Sequence, residues 1–146
     1  MITNHVGIAL EAADRDVELL LVGGHYRAPS NSVVGSFAAD ALRRTFANKA
    51  FIGVEGISLR SGLTTPVAAE AEVARIMIER TRGEVTVVAD HSKLGTVADF
   101  VIASLEQVNR LVIDSGIGAD ERDAFAEAGV DVVVAGSPVA VAPDDG

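Results

Sequence analysis

The chain alternates short runs of β-branched and aliphatic residues with longer amphipathic stretches, which restricts it to very few architectures. Five runs read as strands: Val17–Val22, Lys49–Val54, Glu84–Ala89, Arg110–Asp114 and Asp131–Ala135. They are mostly continuous apolar segments, the pattern of strands buried on both faces of a parallel sheet. Helical stretches lie between them. Asn4 is placed to cap a helix through Ala13, to which Val6, Ile8, Ala9 and Leu10 bring apolar surface. Within Gly35–Phe46, Phe37, Ala38, Ala41, Leu42 and Thr45 form one stripe, with Asp40, Arg43 and Arg44 turned away. From Ala68 to Arg80, Val73, Ile76, Met77 and Arg80 share a face. A last helix from about Ala119 to Ala128 ends at Gly129, where a left-handed residue closes a helix. The expectation is an α/β domain with a mainly parallel sheet flanked by helices. It should span residues 1–137, with 138–146 as a flexible tail containing Pro138 and Pro143.

A chain of 146 residues suits one domain, and 49% apolar with 23% charged residues is a globular mixture. Cysteine is absent, which excludes disulfides, a thiol nucleophile and thiolate metal sites, and is compatible with a reducing compartment. The 21 acidic and 12 basic residues give a net charge of −9, with no Lys/Arg run as a local exception. That field repels a nucleic acid, whereas a small anion is still bound where a few donors converge. The start, Met1-Ile2-Thr3-Asn4-His5, lacks the basic region and apolar core of a signal peptide. The apolar runs are too short to cross a bilayer. The sequence therefore reads as soluble and cytoplasmic, with no membrane partner.

In open parallel sheets, ligands sit at the carboxyl ends of the strands, so the segments after each strand carry the chemistry. The first is Gly23-Gly24-His25-Tyr26-Arg27, either a close approach of backbone to ligand or a plain loop. It matches neither a dinucleotide fingerprint nor a Walker loop, and no cofactor is expected. The second holds Glu55-Gly56-Ile57-Ser58 and Gly62-Leu63-Thr64-Thr65-Pro66. Thr64 and Thr65 precede a helix beginning near Pro66, where hydroxyls either join an oxyanion site or cap the helix. Glu70, one turn further, either faces the pocket or complements the helix dipole. The third is Asp90-His91-Ser92-Lys93-Leu94-Gly95. Lys93 beside Ser92 is placed to anchor a phosphate as a point charge, against the ordinary reading of a solvated loop lysine; Asp90 organises the turn. His5, His25 and His91 lack metal-ligand spacing and read as ordinary polar residues, and no nucleophile elbow occurs.

These motifs, in order, resemble the C-terminal effector domain of the DeoR family of bacterial sugar-metabolism repressors. The matching run is Thr3-Asn4, Gly23-Gly24, Ser32 with Gly35, Lys49-Ala50-Phe51-Ile52-Gly53, Gly56-Ile57 with Gly62-Leu63-Thr64-Thr65, Glu70, Met77-Ile78, and Asp90 to Gly95. It covers Ile2 to Ala135. The resemblance implies a domain similar to ribose-5-phosphate isomerase and the CoA-transferases, used as a phosphosugar sensor without turnover. It implies ligand contacts from Asn4, Gly24, Glu55, Gly56, Thr64, Glu70, Ser92 and Lys93, and no catalytic residue or metal. Glu55 stands where the family often has Asp, one methylene longer. The resemblance also implies a homo-oligomer, for which the helices bearing Phe37 and Val73 are candidate interface elements, unless those stripes are core. Family members carry an N-terminal helix-turn-helix for DNA, then a strand and a phosphate loop ahead of Thr-Asn. This chain starts at Ile2-Thr3-Asn4, so it reads as either a fragment, which that start favours, or an unusual short member, and the expectation is that it binds its effector more weakly than the intact protein. The rival expectation is an isomerase-type enzyme using Glu55 or Glu70, and a third is a purely structural dimerisation module that binds no anion.

Overall fold

The computed structural model describes residues 1–136; the expected tail, 138–146, lies outside them. In chain order the elements are β1 (Ile2–Thr3), α1 (Val6–Ala12), β2 (Leu20–Leu21), β3 (His25–Arg27), β4 (Ser32–Val34), α2 (Ser36–Arg43), β5 (Ala47–Gly53), β6 (Gly56–Ser58), β7 (Gly62–Thr65), α3 (Ala68–Glu79), β8 (Thr81–Ala89), β9 (Phe100–Ala103), β10 (Arg110–Ile113), α4 (Ala119–Glu127) and β11 (Asp131–Val134). Four of the five expected strands form one sheet in the order β11-β10-β8-β5, with every pair parallel. A three-stranded antiparallel sheet, β6-β7-β9, packs beside it. Gly129 takes φ +88° after α4, the left-handed residue the sequence implied.

The central sheet is fully packed on one face only; on the other Thr86 is buried but most of its neighbours are not, a correction to the two-sided burial expected. Ile52, Val85, Val87, Leu111 and Ile113 point into a core closed by α3, the β6-β7-β9 sheet and Phe125 of α4. Each such side chain contributes roughly 1.5–3 kcal/mol on burial. On the opposite face the register aligns Gly53, Val88, Val112 and Val133 in one row. Beside it Phe51 is 70% exposed, and Val88 and Val133 are exposed too. A charged row completes that face: Arg110 bridges Glu84 at 3.1 Å and Asp131 at 2.9 Å. Valines on both sides hide a two-period alternation, so apolar continuity alone overstated the burial.

A second apolar cluster joins Val22, Val33, Val34, Ala38, Ala39 and Leu42 to Val73 and Ile76 of α3. The expected strand Val17–Val22 shrinks to β2, whose two residues are exposed and pair only with β1; Val22 alone is buried. Of the Gly35–Phe46 stripe, Ala38 and Leu42 are buried, while Phe37 is 81% exposed. Val73 is core and Phe37 is surface.

Candidate ligand site at the carboxyl ends of the sheet

Because β5, β8 and β10 are parallel neighbours, their carboxyl ends open on the same edge. Glu55 follows β5, Asp114 follows β10, and a single 3₁₀ turn, His91–Lys93, follows β8. Asp90 caps that turn: its carboxylate accepts from the Ser92 amide at 2.9 Å and from the Ser92 hydroxyl. The turn is tied to both neighbouring strand ends. On one side the Lys93 ammonium donates to Glu55 Oε2 at 2.7 Å. On the other, His91 Nδ1 lies 2.8 Å from Asp114 Oδ1, and the His91 amide donates to Asp114 Oδ2 at 3.0 Å.

The local charges follow from these bonds. Asp90 is held below the usual aspartate value, chiefly by the Ser92 hydroxyl and amide. Asp114 is lowered by the amides of Gly116 and His91. Lys93 is raised by its bond to Glu55. Hydrogen bonds to the charged form hold each of these groups ionised. The Lys93 side chain is 28% exposed and that of Glu55 56%, so the pair sits at the solvent-facing surface of the strand ends.

Behind this row stands a buried support. Gly56 is buried, and a Cβ there would overlap the Thr96 carbonyl oxygen, so no larger residue fits. The Thr64 hydroxyl donates to the Gly56 carbonyl at 3.5 Å and accepts from the Ala98 amide at 3.0 Å. Thr64 is fully buried, a correction to the expectation that it lines the cleft from a helix amino end. Antiparallel pairing with β6 and β9 carries β7 through Thr65, and α3 begins at Ala68, capped by Val67 with no side-chain bond.

The remaining expected residues lie around the second cluster. Glu70 accepts from Arg27 Nε at 2.9 Å and from the Thr65 hydroxyl at 3.1 Å, linking α3 to β3 and β7. Asn4 does not cap α1. Its amide donates to the Val33 carbonyl at 3.0 Å, and His5 Nδ1 takes the capping role, accepting from the Ile8 amide at 3.3 Å. Asn4 thereby fastens β1 to β4, one residue too early for the cap. Gly24, at φ +151°, lets the chain pass against Val33 and Val34 and the first turn of α2, where a side chain has no room. The structure thus brings Glu55, Gly56, Thr64, Ser92 and Lys93 together and puts Asn4 and Gly24 in a separate, structural setting.

The sequence reads His91 as an ordinary polar residue and gives no role to Asp114 or Arg27. Asp114 had a signal: like Asp90, it immediately follows a strand of the parallel sheet. A separate open concavity of about 760 Å³ runs between α4 and β11, lined by Ile117, Arg122, Asp123, Val130 and Val132 among others. It shares none of the expected ligand residues and offers Arg122 beside Asp123, a poor trap for an anion.

Comparison with known proteins gives the same family as the motifs. The family model described as the DeoR C terminal sensor domain matches residues 1–115. The HTH-type transcriptional regulator GlpR of Haloferax volcanii is 36% identical over 132 residues, 90% of this chain and 51% of that protein. The putative aga operon transcriptional repressor of Escherichia coli O157:H7 is 33% identical over 135 residues, 92% of this chain and 50% of that protein. The HTH-type transcriptional repressor GlcR of Bacillus subtilis is 33% identical over 115 residues, 78% of this chain and 44% of that protein. The chain spans about half the length of these relatives. It belongs to the DeoR C-terminal sensor domain family.

Proposed function

We propose that this chain is the effector-sensing part of a transcriptional regulator of sugar metabolism, and that it takes a phosphorylated sugar at the carboxyl ends of β5 and β8. The observation that carries the reading is the Lys93 amine, poised beside Ser92 over the strand ends and neutralised by Glu55. A phosphate arriving there exchanges places with the Glu55 carboxylate, which is then free to accept from sugar hydroxyls. The similar proteins are named as transcriptional regulators and repressors, which supports a binding role without turnover. DNA contact belongs to a helix-turn-helix outside this chain, since a net charge of −9 opposes it here. On this reading the protein is cytoplasmic and oligomeric, and its effector acts by binding one of two states more tightly than the other. Among the described residues, no helix is long and apolar enough to cross a membrane.

The rival is an isomerase-type enzyme. Glu55 and Glu70 are each engaged by a cation, which suits holding rather than proton transfer. The His91–Asp114 pair is the one feature on its side. A thermal-shift screen of sugar phosphates on wild type and Lys93→Met tests the sensor reading. A ligand at a hundred times its dissociation constant adds about 2.7 kcal/mol of stability. The expected result is that this gain disappears in the variant, which itself folds, because an exposed ion pair is worth only about 0–1 kcal/mol. An unchanged gain contradicts the assigned anchor. Interconversion of aldose and ketose phosphates by the pure protein favours the rival.

A further inference from the structure

We propose that His91 is a second ligand-reading residue of this site, its Nε2 hydrogen-bonding to a hydroxyl at the sugar end of the ligand while Lys93 holds the phosphate. The proposal rests on the sensor reading above and adds the residue that selects among phosphorylated ligands.

Three observations orient the imidazole. Asp114 Oδ1 meets Nδ1 at 2.8 Å, while the two oxygens of the same carboxylate also accept the amides of Gly116 at 2.7 Å and His91 at 3.0 Å. A carboxylate already fixed by two backbone donors is an acceptor, so the Nδ1 proton points to it and Nε2 is left for another partner. The ring also lies against Gly116, where any Cβ would overlap it. Yet the imidazole is 57% exposed. A ring fixed on one nitrogen and open at the other is arranged to meet something that arrives from solvent.

Its place fits that task. The 3₁₀ turn sends Lys93 towards the end of β5 and His91 towards the end of β10. Those strands flank β8, so their ends lie roughly 9.6 Å apart, two strand spacings. A phosphorylated monosaccharide laid along the sheet edge spans that interval, with phosphate at Lys93 and a hydroxyl at His91. Inorganic phosphate cannot bridge it. His91 therefore contributes to sugar recognition and little to the affinity for phosphate itself.

Two isosteric substitutions separate ligand reading from a purely structural tie. The terminal group of Gln occupies the place of Nε2, and that of Asn the place of Nδ1. Affinities are measured by calorimetry for wild type, His91→Gln and His91→Asn, using inorganic phosphate and the tightest of ribose 5-phosphate, fructose 6-phosphate and glucose 6-phosphate. The expected result is that His91→Asn loses roughly tenfold more affinity for the sugar phosphate than for inorganic phosphate, the effect of one hydrogen bond, and that His91→Gln restores most of the preference. Rescue by Asn instead of Gln, or equal losses on both probes, overturns the proposal and leaves the Lys93 reading standing. A wild-type protein that binds none of the sugar phosphates overturns both.

Discussion

A short ion pair that is half in solvent contributes little to stability, and its worth lies in what it can be exchanged for. Glu55 on Lys93 is such a pair, with the carboxylate 56% exposed. The aspartates of the same edge behave differently, because backbone donors hold them. Asp114 and Asp90 both lie below the ordinary value of 3.8 in the folded chain. A lowered folded value means their contribution is complete above that ordinary value and is lost as pH falls through the lowered one. Asp114→Asn removes part of this dependence. Unfolding midpoints followed by circular dichroism from pH 6 to pH 2.5 should fall less steeply below pH 4 in the variant than in wild type. Parallel acid limbs contradict the assignment. Lys93 has the opposite sign: raised by Glu55, its contribution is present at neutral pH and lost only as pH rises through its elevated value.

At the scale of elements, the parallel strands β5, β8, β10 and β11 were legible because short continuous apolar runs between helical stretches are distinctive, and Gly129 announced the end of α4. The short antiparallel strands β6, β7 and β9 were not: β6 and β7 are three or four residues rich in Gly, Ser and Thr, and β9 is four apolar residues, all too short to show a period. That omission misplaced Thr64, which sits between Gly56 on β6 and Val101 on β9. Lys93 and Glu55 were found from their positions after strands, whereas the His91–Asp114 pair needed the register of β8 against β10. The β6-β7 pairing also depends on Gly56 lying against the Thr96 carbonyl. Gly56→Ala forces these backbones apart and should cost roughly 1–3 kcal/mol in denaturant unfolding. A variant as stable as wild type shows that the segment after Lys93 moves aside freely.

Among the described residues, β5 is an edge strand and one face of the central sheet is largely exposed. Phe51, Val88 and Val133 form its apolar part, and exposed apolar surface at a sheet edge favours association. The isolated chain should therefore associate with rising concentration in sedimentation experiments. Phe51→Lys, which puts a charge on that edge, should shift it towards monomer with its circular dichroism unchanged. A wild-type chain monomeric at high concentration contradicts this account of the face. On the opposite side of the same sheet lies the core that fixes the strand ends, and the strand ends fix the ligand site.

The most direct test is a crystal structure of the chain with a bound sugar phosphate. The expected result places phosphate oxygens within hydrogen-bond reach of the Lys93 ammonium and the Ser92 hydroxyl, with Glu55 displaced from Lys93 and turned towards sugar hydroxyls. A phosphate bound elsewhere, with the Lys93–Glu55 pair intact, contradicts the account.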